Sequence, residues 1–319
     1  MKKSIYALAL ALSVGTALAH ADATIYGSFR MNLEDRTGES LDLSDSGSRI
    51  GVKGDVDLGL DHTVGIFLLE QNVSMDDGAL TTGRYSYVGA RGTWGTAVAG
   101  RIDHPSWTYV GSVTDVFASG QGKIQSVGYV GSTTDRADRR TNSTLAYTSP
   151  TIEGFTASAG AVFNGDAGTE RDRTVDGYNV GAQYNIEALT VGAAFGAVKN
   201  TDNGAGFETD ARIWGLSAQY QVLPELRVAA AYEQAKDDAI NTTDKGYSLA
   251  GIYEHSTGLG AALAYSTSRE TNLDRERATQ AEVYQRLGRG VVAAGYIDRN
   301  NANGTRGTDV AYLSYRLDF

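Results

Sequence analysis

The chain has 319 residues, with 28 lysines and arginines against 38 aspartates and glutamates, which gives a formal charge of -10. It contains no cysteine, which excludes disulfide bonds, thiolate metal sites and a cysteine nucleophile. An acidic balance argues against nucleic-acid binding, which requires a basic surface, and a hydrophobic content of 41% excludes a disordered chain. After the first 20 residues, no apolar run approaches the ~20 residues of a membrane-spanning helix.

The first 21 residues have the pattern of a secretory signal peptide. Lys2 and Lys3 precede an apolar run that extends from about residue 5 to Ala19, and small residues stand at Ala19 and Ala21. We therefore predict cleavage between Ala21 and Asp22, which leaves one mature domain over residues 22–319. The loss of two lysines makes this domain more acidic than the whole chain.

The remainder of the chain consists of stretches of about ten residues in which apolar and polar residues alternate, as in β-strands. In residues 24–34, Ile25, Phe29 and Leu33 share one face, and Arg30 lies on the other. The last stretch, YLSYRLDF, alternates in the same way up to Phe319. The pattern predicts an all-β fold.

Seven short turns alternate with eight long polar segments along the chain. The long segments are predicted to be loops and lie roughly over residues 35–47, 71–83, 102–139, 164–176, 199–211, 235–246, 268–278 and 298–308. The short turns lie near residues 57–61, 91–95, 149–154, 185–189, 222–226, 256–260 and 286–290. Fifteen connections join sixteen strands, and short turns at one rim with long loops at the other are typical of an outer-membrane β-barrel. A soluble β-sandwich is the alternative, but it rarely reaches sixteen strands and carries charges on its outer face. Here the strand charges fall mostly on one face, which favours the barrel.

Several segments resemble the general porins of Gram-negative bacteria, and the resemblance extends over essentially the whole mature chain. They include ATIYGSFRMNLE, RYSYVGARGTWGTAVAGR, NSTLAYTSPTIEGF and YLSYRLDF. The resemblance implies a homotrimer of 16-stranded antiparallel transmembrane β-barrels, each with an inward-folded third loop. It also implies a passive diffusion channel for small hydrophilic solutes and ions, without a cofactor.

The same resemblance implies a place in the outer membrane, in contact with its lipid and lipopolysaccharide. The aromatic carboxy-terminal residue Phe319 resembles the signal that the barrel assembly machinery reads. Its simpler role is that of a lipid-facing aromatic residue in the last strand, and the two roles are compatible.

Side chains alternate between lipid and lumen along each barrel strand, so the parity of each strand predicts the residues of the pore. The placement of Arg84 depends on Tyr85 and Tyr87 facing lipid, whereas the parity near Glu70 is ambiguous. The residues predicted to face the lumen are Arg30, Arg49, Lys53, Arg84, Arg140 and Asn142. Counted from the short-turn rim, the four arginines differ by about 8 Å in height, which predicts one basic zone near mid-membrane.

The third loop, from Ile102 to Arg139, is far longer than a hairpin needs, and loops of this size are usually functional. By resemblance to the porins, its residues Asp103 and Asp115 would face the arginines across the narrowest point. The loop lacks the Pro-Glu-Phe-Gly-Gly segment of the enterobacterial porins, and it also carries Lys123. Which carboxylates reach the constriction, and whether the pore prefers anions or cations, therefore stay open.

Two other functions compete with a general pore. A substrate-specific channel with a saturable site would need a run of lumenal aromatic residues, and only Tyr26 and Tyr312 are predicted to face inward. A barrel enzyme of the Ser-His-Asp type needs a histidine beside its partners, which His62, His104 and His255 do not offer. The Asp- and Asn-rich loops lack the spacing of an EF-hand, so we expect neither a catalytic site nor a metal site.

Overall fold

A computed structural model describes residues 21–120, 140–163, 175–199, 210–238, 241–271, 275–300 and 307–319. The predicted signal peptide, apart from Ala21, lies outside these residues, as do Lys123 and most of the second half of the third loop. The strands are β1 (Ala21–Arg36), β2 (Asp42–Asp45), β3 (Arg49–Leu60), β4 (Thr63–Val73), β5 (Leu80–Gly92), β6 (Gly95–Asp103), β7 (Arg140–Thr148), β8 (Phe155–Val162), β9 (Gly177–Ile186), β10 (Leu189–Lys199), β11 (Asp210–Leu223), β12 (Leu226–Asp237), β13 (Thr242–Glu254), β14 (Leu259–Glu270), β15 (Glu276–Leu287), β16 (Gly290–Asn300) and β17 (Val310–Asp318).

These strands form one antiparallel sheet that closes on itself, because β1 pairs with β17 along one edge and with β3 along the other. The short β2 pairs with the carboxy-terminal half of β1 and is not a separate wall strand. The wall therefore has sixteen strands, as the sequence predicted. The last residue helps to close it, since Phe319 and Gly27 exchange two backbone hydrogen bonds of 3.0 and 3.1 Å.

The alternation of the two faces is confirmed on the first and last strands. On β17, the side chains of Leu313 and Tyr315 are about half exposed on the outer face, whereas Tyr312 and Ser314 are buried inside. On β1, Arg30 is buried on the inner face. Apolar side chains thus cover the outside of the barrel and polar ones line its interior. Within the described ranges, no helix has the length and apolar character needed to cross a membrane.

The seven short turns fall where the sequence predicted them, but the long loops are shorter than predicted. Strand β2 lies within the segment 35–47, which was predicted to be loop, and β5 begins at Leu80 within the segment 71–83. Backbone pairing continues above the apolar part of the wall because hydrogen bonding between strands does not require alternating side chains. The hydrophobic pattern therefore underestimates strand length at this rim.

The prediction that Tyr85 and Tyr87 face lipid is wrong. On β5 the exposed outer residue is Val88, so the two tyrosines have the opposite parity and face the interior. The pairing of β4 with β5 shifts by one residue between Glu70 and Gln71, which makes Arg84 the extra residue of a β-bulge on β5. Because of this bulge, the neighbouring residues Arg84 and Tyr85 both project inward.

The third loop folds into the barrel and packs on the inner wall. It begins with a π-helical turn, Ser106–Val110, and a 3-10 turn, Gly111–Thr114, which contact strands β9 to β13. The wall beneath is made of small residues. An added Cβ at Gly192 would lie 2.1 Å from the carbonyl oxygen of Tyr109, so only glycine lets the loop backbone approach this closely.

Candidate functional site

Arg30 stands at the centre of the basic side of the lumen. Its side chain is buried, its Nε donates to Ser28 Oγ at 2.9 Å, and its Nη1 donates to the carbonyl oxygen of Gly120 at 3.2 Å. Gly120 is the last described residue of the first half of the third loop. Arg30 therefore joins the wall to that loop, and its described hydrogen bonds go to neutral groups.

Arg49 and Arg84 share one carboxylate, that of Glu70. The Arg49 Nε lies 3.5 Å from Glu70 Oε2, and Tyr26 donates to the same oxygen at 2.8 Å. Arg84 forms an ion pair with the other oxygen, Oε1. Glu70 is only 4% exposed, so the carboxylate is held between two cations. The ambiguous parity of β4 did not predict this role.

Arg140 lies further along the wall and belongs to a second group. Its Nε is 3.8 Å from Asp103 Oδ1, its guanidinium carbon lies 4.7 Å from the centre of the Tyr85 ring, and Tyr85 donates to Asp103 at 2.8 Å. Asp103 and Arg140 are cross-strand partners on β6 and β7. The prediction that Asp103 faces the arginines across the lumen is therefore wrong, because it sits beside one of them on the same wall.

One further arginine completes the basic wall. Arg316 is the cross-strand partner of Arg30, pairs with Asp318 at 2.7 Å and donates to the carbonyl oxygen of Ala118 at 3.2 Å. The alternation of YLSYRLDF was sufficient to find Arg316.

Arg101 does not belong to this wall, although its strand, β6, lies between β5 and β7 in the sheet. Its cross-strand partner on β5 is Ser86, which has the same outward parity as the exposed Val88. Arg101 donates to Asn142 at 2.5 Å. A lumenal position of Asn142 stays a prediction.

The structure thus brings together three of the four predicted arginines and adds one. Arg49, Arg84 and Arg316 are all electrostatic neighbours of Arg30. The predicted lumenal residue Lys53 lies near the same side, with its Nζ 5.1 Å from the centre of the Tyr26 ring. Since Arg140 and these four arginines come from β7, β1, β3, β5 and β17, one continuous arc of the wall is basic.

The third loop is fastened to the remaining arc by buried hydrogen bonds. Glu282 on β15 accepts from the backbone N–H groups of Ala118 at 2.7 Å and Ser119 at 3.2 Å, and from Tyr312 at 2.8 Å. On β11, Ser217 donates to the carbonyl oxygen of Tyr109 at 2.6 Å. These bonds keep the loop inside the barrel, where it narrows the lumen.

His104 anchors the start of the loop and lies outside the wall strands. It is 2% exposed, its Nδ1 accepts the backbone N–H of Ser106 at 3.1 Å, and burial lowers its pKa to about 4. The ring is therefore neutral at pH 7, and its hydrogen bond to Ser106 holds the start of the loop.

Asp115, the second predicted acid, follows the 3-10 turn, and its backbone N–H donates to Ser112 at 3.1 Å. The turn before it packs on β11, β12 and β13, away from the arginine arc. Asp115 thus follows a turn that packs on the wall opposite the arginine arc, which is the side where the sequence predicted an acid facing the arginines. Its action on solutes stays a prediction.

A family model described as Gram-negative porin matches residues 7–305. The chain belongs to this family. It is 29% identical over 235 residues to outer membrane porin protein 32 of Delftia acidovorans, with 69% of this chain and 66% of the relative covered. It is 30% identical over 201 residues to the major outer membrane protein P.IB of Neisseria gonorrhoeae, covering 58% and 53%. The matched regions thus span just under two thirds and about half of these curated relatives.

Solved porin structures share the fold. An anion-selective porin from Comamonas acidovorans superposes with a TM-score of 0.79 at 20% identity, covering 94% of this chain and all of the other. OmpF of Salmonella typhi, solved with daunomycin, gives a TM-score of 0.71 at 16% identity, covering 93% and 97%. At these identities the similarity establishes the barrel architecture alone.

Proposed function

We propose that this chain forms a water-filled channel in the outer membrane, through which small hydrophilic solutes and ions diffuse passively. The observation that carries the proposal is a closed barrel with an apolar outside, a polar inside and a loop fastened within its lumen. A polar lumen allows hydrated solutes to pass, and the inward loop limits their size. The family and the fold are those of channels rather than enzymes.

The charges of the lumen favour a preference for anions. On the arginine arc, the carboxylates in contact with the five arginines are those of Glu70, Asp103 and Asp318, so positive charge is in excess there among the described residues. Local charges near the narrowest point act on ions more strongly than distant surface charges. This preference for anions is therefore the opposite of what the net charge of -10 of the whole chain would suggest.

The constriction consists, in this proposal, of Arg30, Arg49, Arg84 and Arg140 on the wall, with Arg316, facing the third loop and Asp115. Lys53 lines the adjoining lumen, and the same position for Asn142 stays a prediction. The electric field across this gap orients the dipoles of passing solutes, so that charge and polarity affect permeation together with size. The proposal requires no bound cofactor.

Export and assembly form the second part of the proposal. Cleavage between Ala21 and Asp22 releases the mature chain, the barrel assembly machinery reads Phe319, and three copies associate. The phenyl ring of Phe319 packs 5.1 Å from that of Phe29 on the outer face, where a receptor for the last strand reaches it before the barrel closes. A relative in fold, OmpT of Vibrio cholerae, is described in a trimer form.

The decisive experiment inserts the purified protein into planar bilayers and into liposomes. The proposal predicts stepwise conductance that rises linearly with salt concentration, and sugar permeation that falls smoothly with solute size. Saturable block by one particular sugar, peptide or aromatic acid would indicate a substrate-specific channel instead. Bilayers that stay electrically silent would contradict the proposal as a whole.

A further inference from the structure

A group of cations lies on the outside of the barrel, at the rim that carries the long loops. Lys245 on β13, Arg269 on β14 and Arg275 before β15 line an open cavity of about 670 Å³. Lys245 faces outward, because Ser248, three residues along the same strand, contacts Thr114 of the third loop on the inner face at 2.9 Å. The cavity is therefore separate from the pore and opens away from it.

The three cations lack carboxylate partners within the described part of the chain. Lys245 and Arg269 are cross-strand neighbours, so two like charges stand side by side. The hydrogen bonds of Arg275 go to Tyr247 Oη at 3.4 Å and Thr267 Oγ1 at 3.5 Å, which are neutral groups. Like charges at this spacing repel each other, and an anionic ligand would relieve the repulsion.

The neighbouring cations on the same outer face provide a contrast. Arg212 on β11 and Lys236 on β12 are also cross-strand partners, but both reach Asp238, at 2.6 and 2.7 Å. The first pair thus shares one carboxylate, which offsets one of its two charges, whereas Lys245 and Arg269 have no carboxylate partner among the described residues. A ligand from outside the chain therefore meets more positive charge at the second pair.

The surface next to the cavity indicates what kind of anion fits. On the side toward the short turns, Tyr247, Leu249 and Leu263 are 41%, 52% and 57% exposed on the outer face. Tyrosine at the edge of an apolar band is typical of the interface between headgroups and acyl chains. A ligand that contacts both the cations and this band must combine an anionic headgroup with acyl chains.

We propose that Lys245, Arg269 and Arg275 bind the phosphate groups of a glycolipid of the outer leaflet, whose acyl chains lie along Tyr247 and Leu249. The proposal rests on the proposed position of the barrel in the outer membrane. Arginine binds phosphate through two parallel hydrogen bonds, and each basic residue near a membrane surface strengthens the attraction to anionic lipid. The charge and the apolar surface together favour a lipid over a free phosphate ion.

The test measures retention of bisphosphorylated, hexaacylated lipid A by the purified full-length protein in mild detergent, with native mass spectrometry as the readout. The variant K245Q/R269Q removes two charges from the cavity, and R212Q/K236Q removes two from the neighbouring pair, which is held by the carboxylate of Asp238. We expect roughly tenfold weaker retention for the first variant and less than twofold for the second. With lipid A that lacks both phosphates, the first variant and the unmodified protein should bind equally.

Three results would overturn the proposal: equal loss for both double variants, equal loss with the dephosphorylated lipid, or binding of inorganic phosphate as tight as that of lipid A. Single-channel conductance is recorded for every variant, and it should be unchanged because the cavity lies outside the pore. If K245Q/R269Q shows normal conductance and unaltered lipid retention, only the proposed lipid site is disproved. If the unmodified protein shows no conductance, the proposed channel itself is disproved. Should the double variant fail to fold, the single variants K245Q and R269Q take its place, with roughly threefold weaker retention expected for each.

Discussion

The two arcs of the lumenal wall are built from different residues and have different tasks. From β17 through β1 to β7, the wall carries long arginine side chains that are held in place by carboxylates and neutral acceptors. From β9 to β14 it carries glycine, alanine and serine, on which the third loop lies. One arc is open to solutes and carries charge, whereas the other is covered and positions the loop. In the proposed channel, pore size and pore charge are therefore set by separate parts of the barrel.

The largest expected effect comes from releasing the loop at β15. In E282Q a neutral amide group replaces the carboxylate. A charged acceptor is then lost to the backbone N–H groups of Ala118 and Ser119 and to the hydroxyl of Tyr312. Hydrogen bonds to charged groups are the stronger ones, and we expect docking of the loop to weaken by about 3 kcal/mol. Larger polyethylene glycols should then enter the pore, and single-channel conductance should rise.

The matched control for this change is E254Q, on the neighbouring part of the wall at the short-turn rim. Glu254 bonds Arg286 and Tyr284 rather than the third loop. The E254Q variant should therefore leave the size cut-off of the pore unchanged. Equal cut-offs for E282Q and the unmodified protein would show that the bonds to Glu282 do not hold the loop.

The next effect is a dependence of loop docking on pH through His104. Its pKa is about 4 in the folded protein against 6.5 for a free histidine. As the pH falls, His104 therefore takes up a proton at a higher pH when the loop is released than when the loop is docked. The stabilisation is complete above pH 6.5 and is lost as the pH falls toward 4, by up to about 3 kcal/mol. Protonation of Nδ1 also removes the acceptor of the Ser106 N–H.

The size cut-off should therefore widen between pH 6.5 and 4, and H104Q should remove this dependence. H255Q, at an exposed turn on the opposite rim, serves as the control and should keep it. A cut-off that is the same at pH 7 and pH 4 in the unmodified protein would contradict this role of His104.

A smaller effect is expected where the loop lies on glycine. In G192A, the new methyl group would meet the carbonyl oxygen of Tyr109 at 2.1 Å, and this backbone atom has to move. Overpacking of this kind costs about 1–3 kcal/mol. In G251A, the nearest atom to the new Cβ is 4.0 Å away, so this variant should behave as the unmodified protein. Thermal unfolding in detergent compares the two, and equal midpoints would mean that the loop does not press on β10.

The smallest effect is expected at the short-turn rim. Arg91 and Asp55 form an ion pair of 2.7 Å, but both side chains are about half exposed. Exposed pairs of this kind contribute less than about 1 kcal/mol. A double-mutant cycle with R91Q and D55N should give a coupling energy in that range, and a value of several kcal/mol would contradict the assignment of this rim to solvent.

The sequence alone predicted the number of strands, the seven short turns and the inward face of β1, because each of these follows from a period of two residues. The inward orientation of Arg30 and Arg49 was also predictable, because their strands are regular around these residues, whereas their role in the constriction stays a prediction. Orientations were not predictable where the strands are irregular. Arg84 was assigned correctly from a wrong orientation of Tyr85, since a bulge on β5 carries both residues inward.

The arrangement of the third loop could not be predicted from the sequence. Its contacts join residues more than one hundred positions apart, such as Tyr109 with Ser217 and Ser119 with Glu282. No local pattern encodes such pairs. For the same reason Asp103 was expected across the lumen, although it is a strand residue beside Arg140.

Reversal potentials across a planar bilayer under a potassium chloride gradient test most directly the claim that the arginine arc determines which ions pass. The unmodified protein should show a potential that favours chloride. In R49S/R84S the carboxylate of Glu70 loses both cations, and the potential should shift toward potassium. K245Q/R269Q, which removes the same charge from the outside of the barrel, should leave it unchanged. A reversal potential that is the same for R49S/R84S as for the unmodified protein would contradict the account.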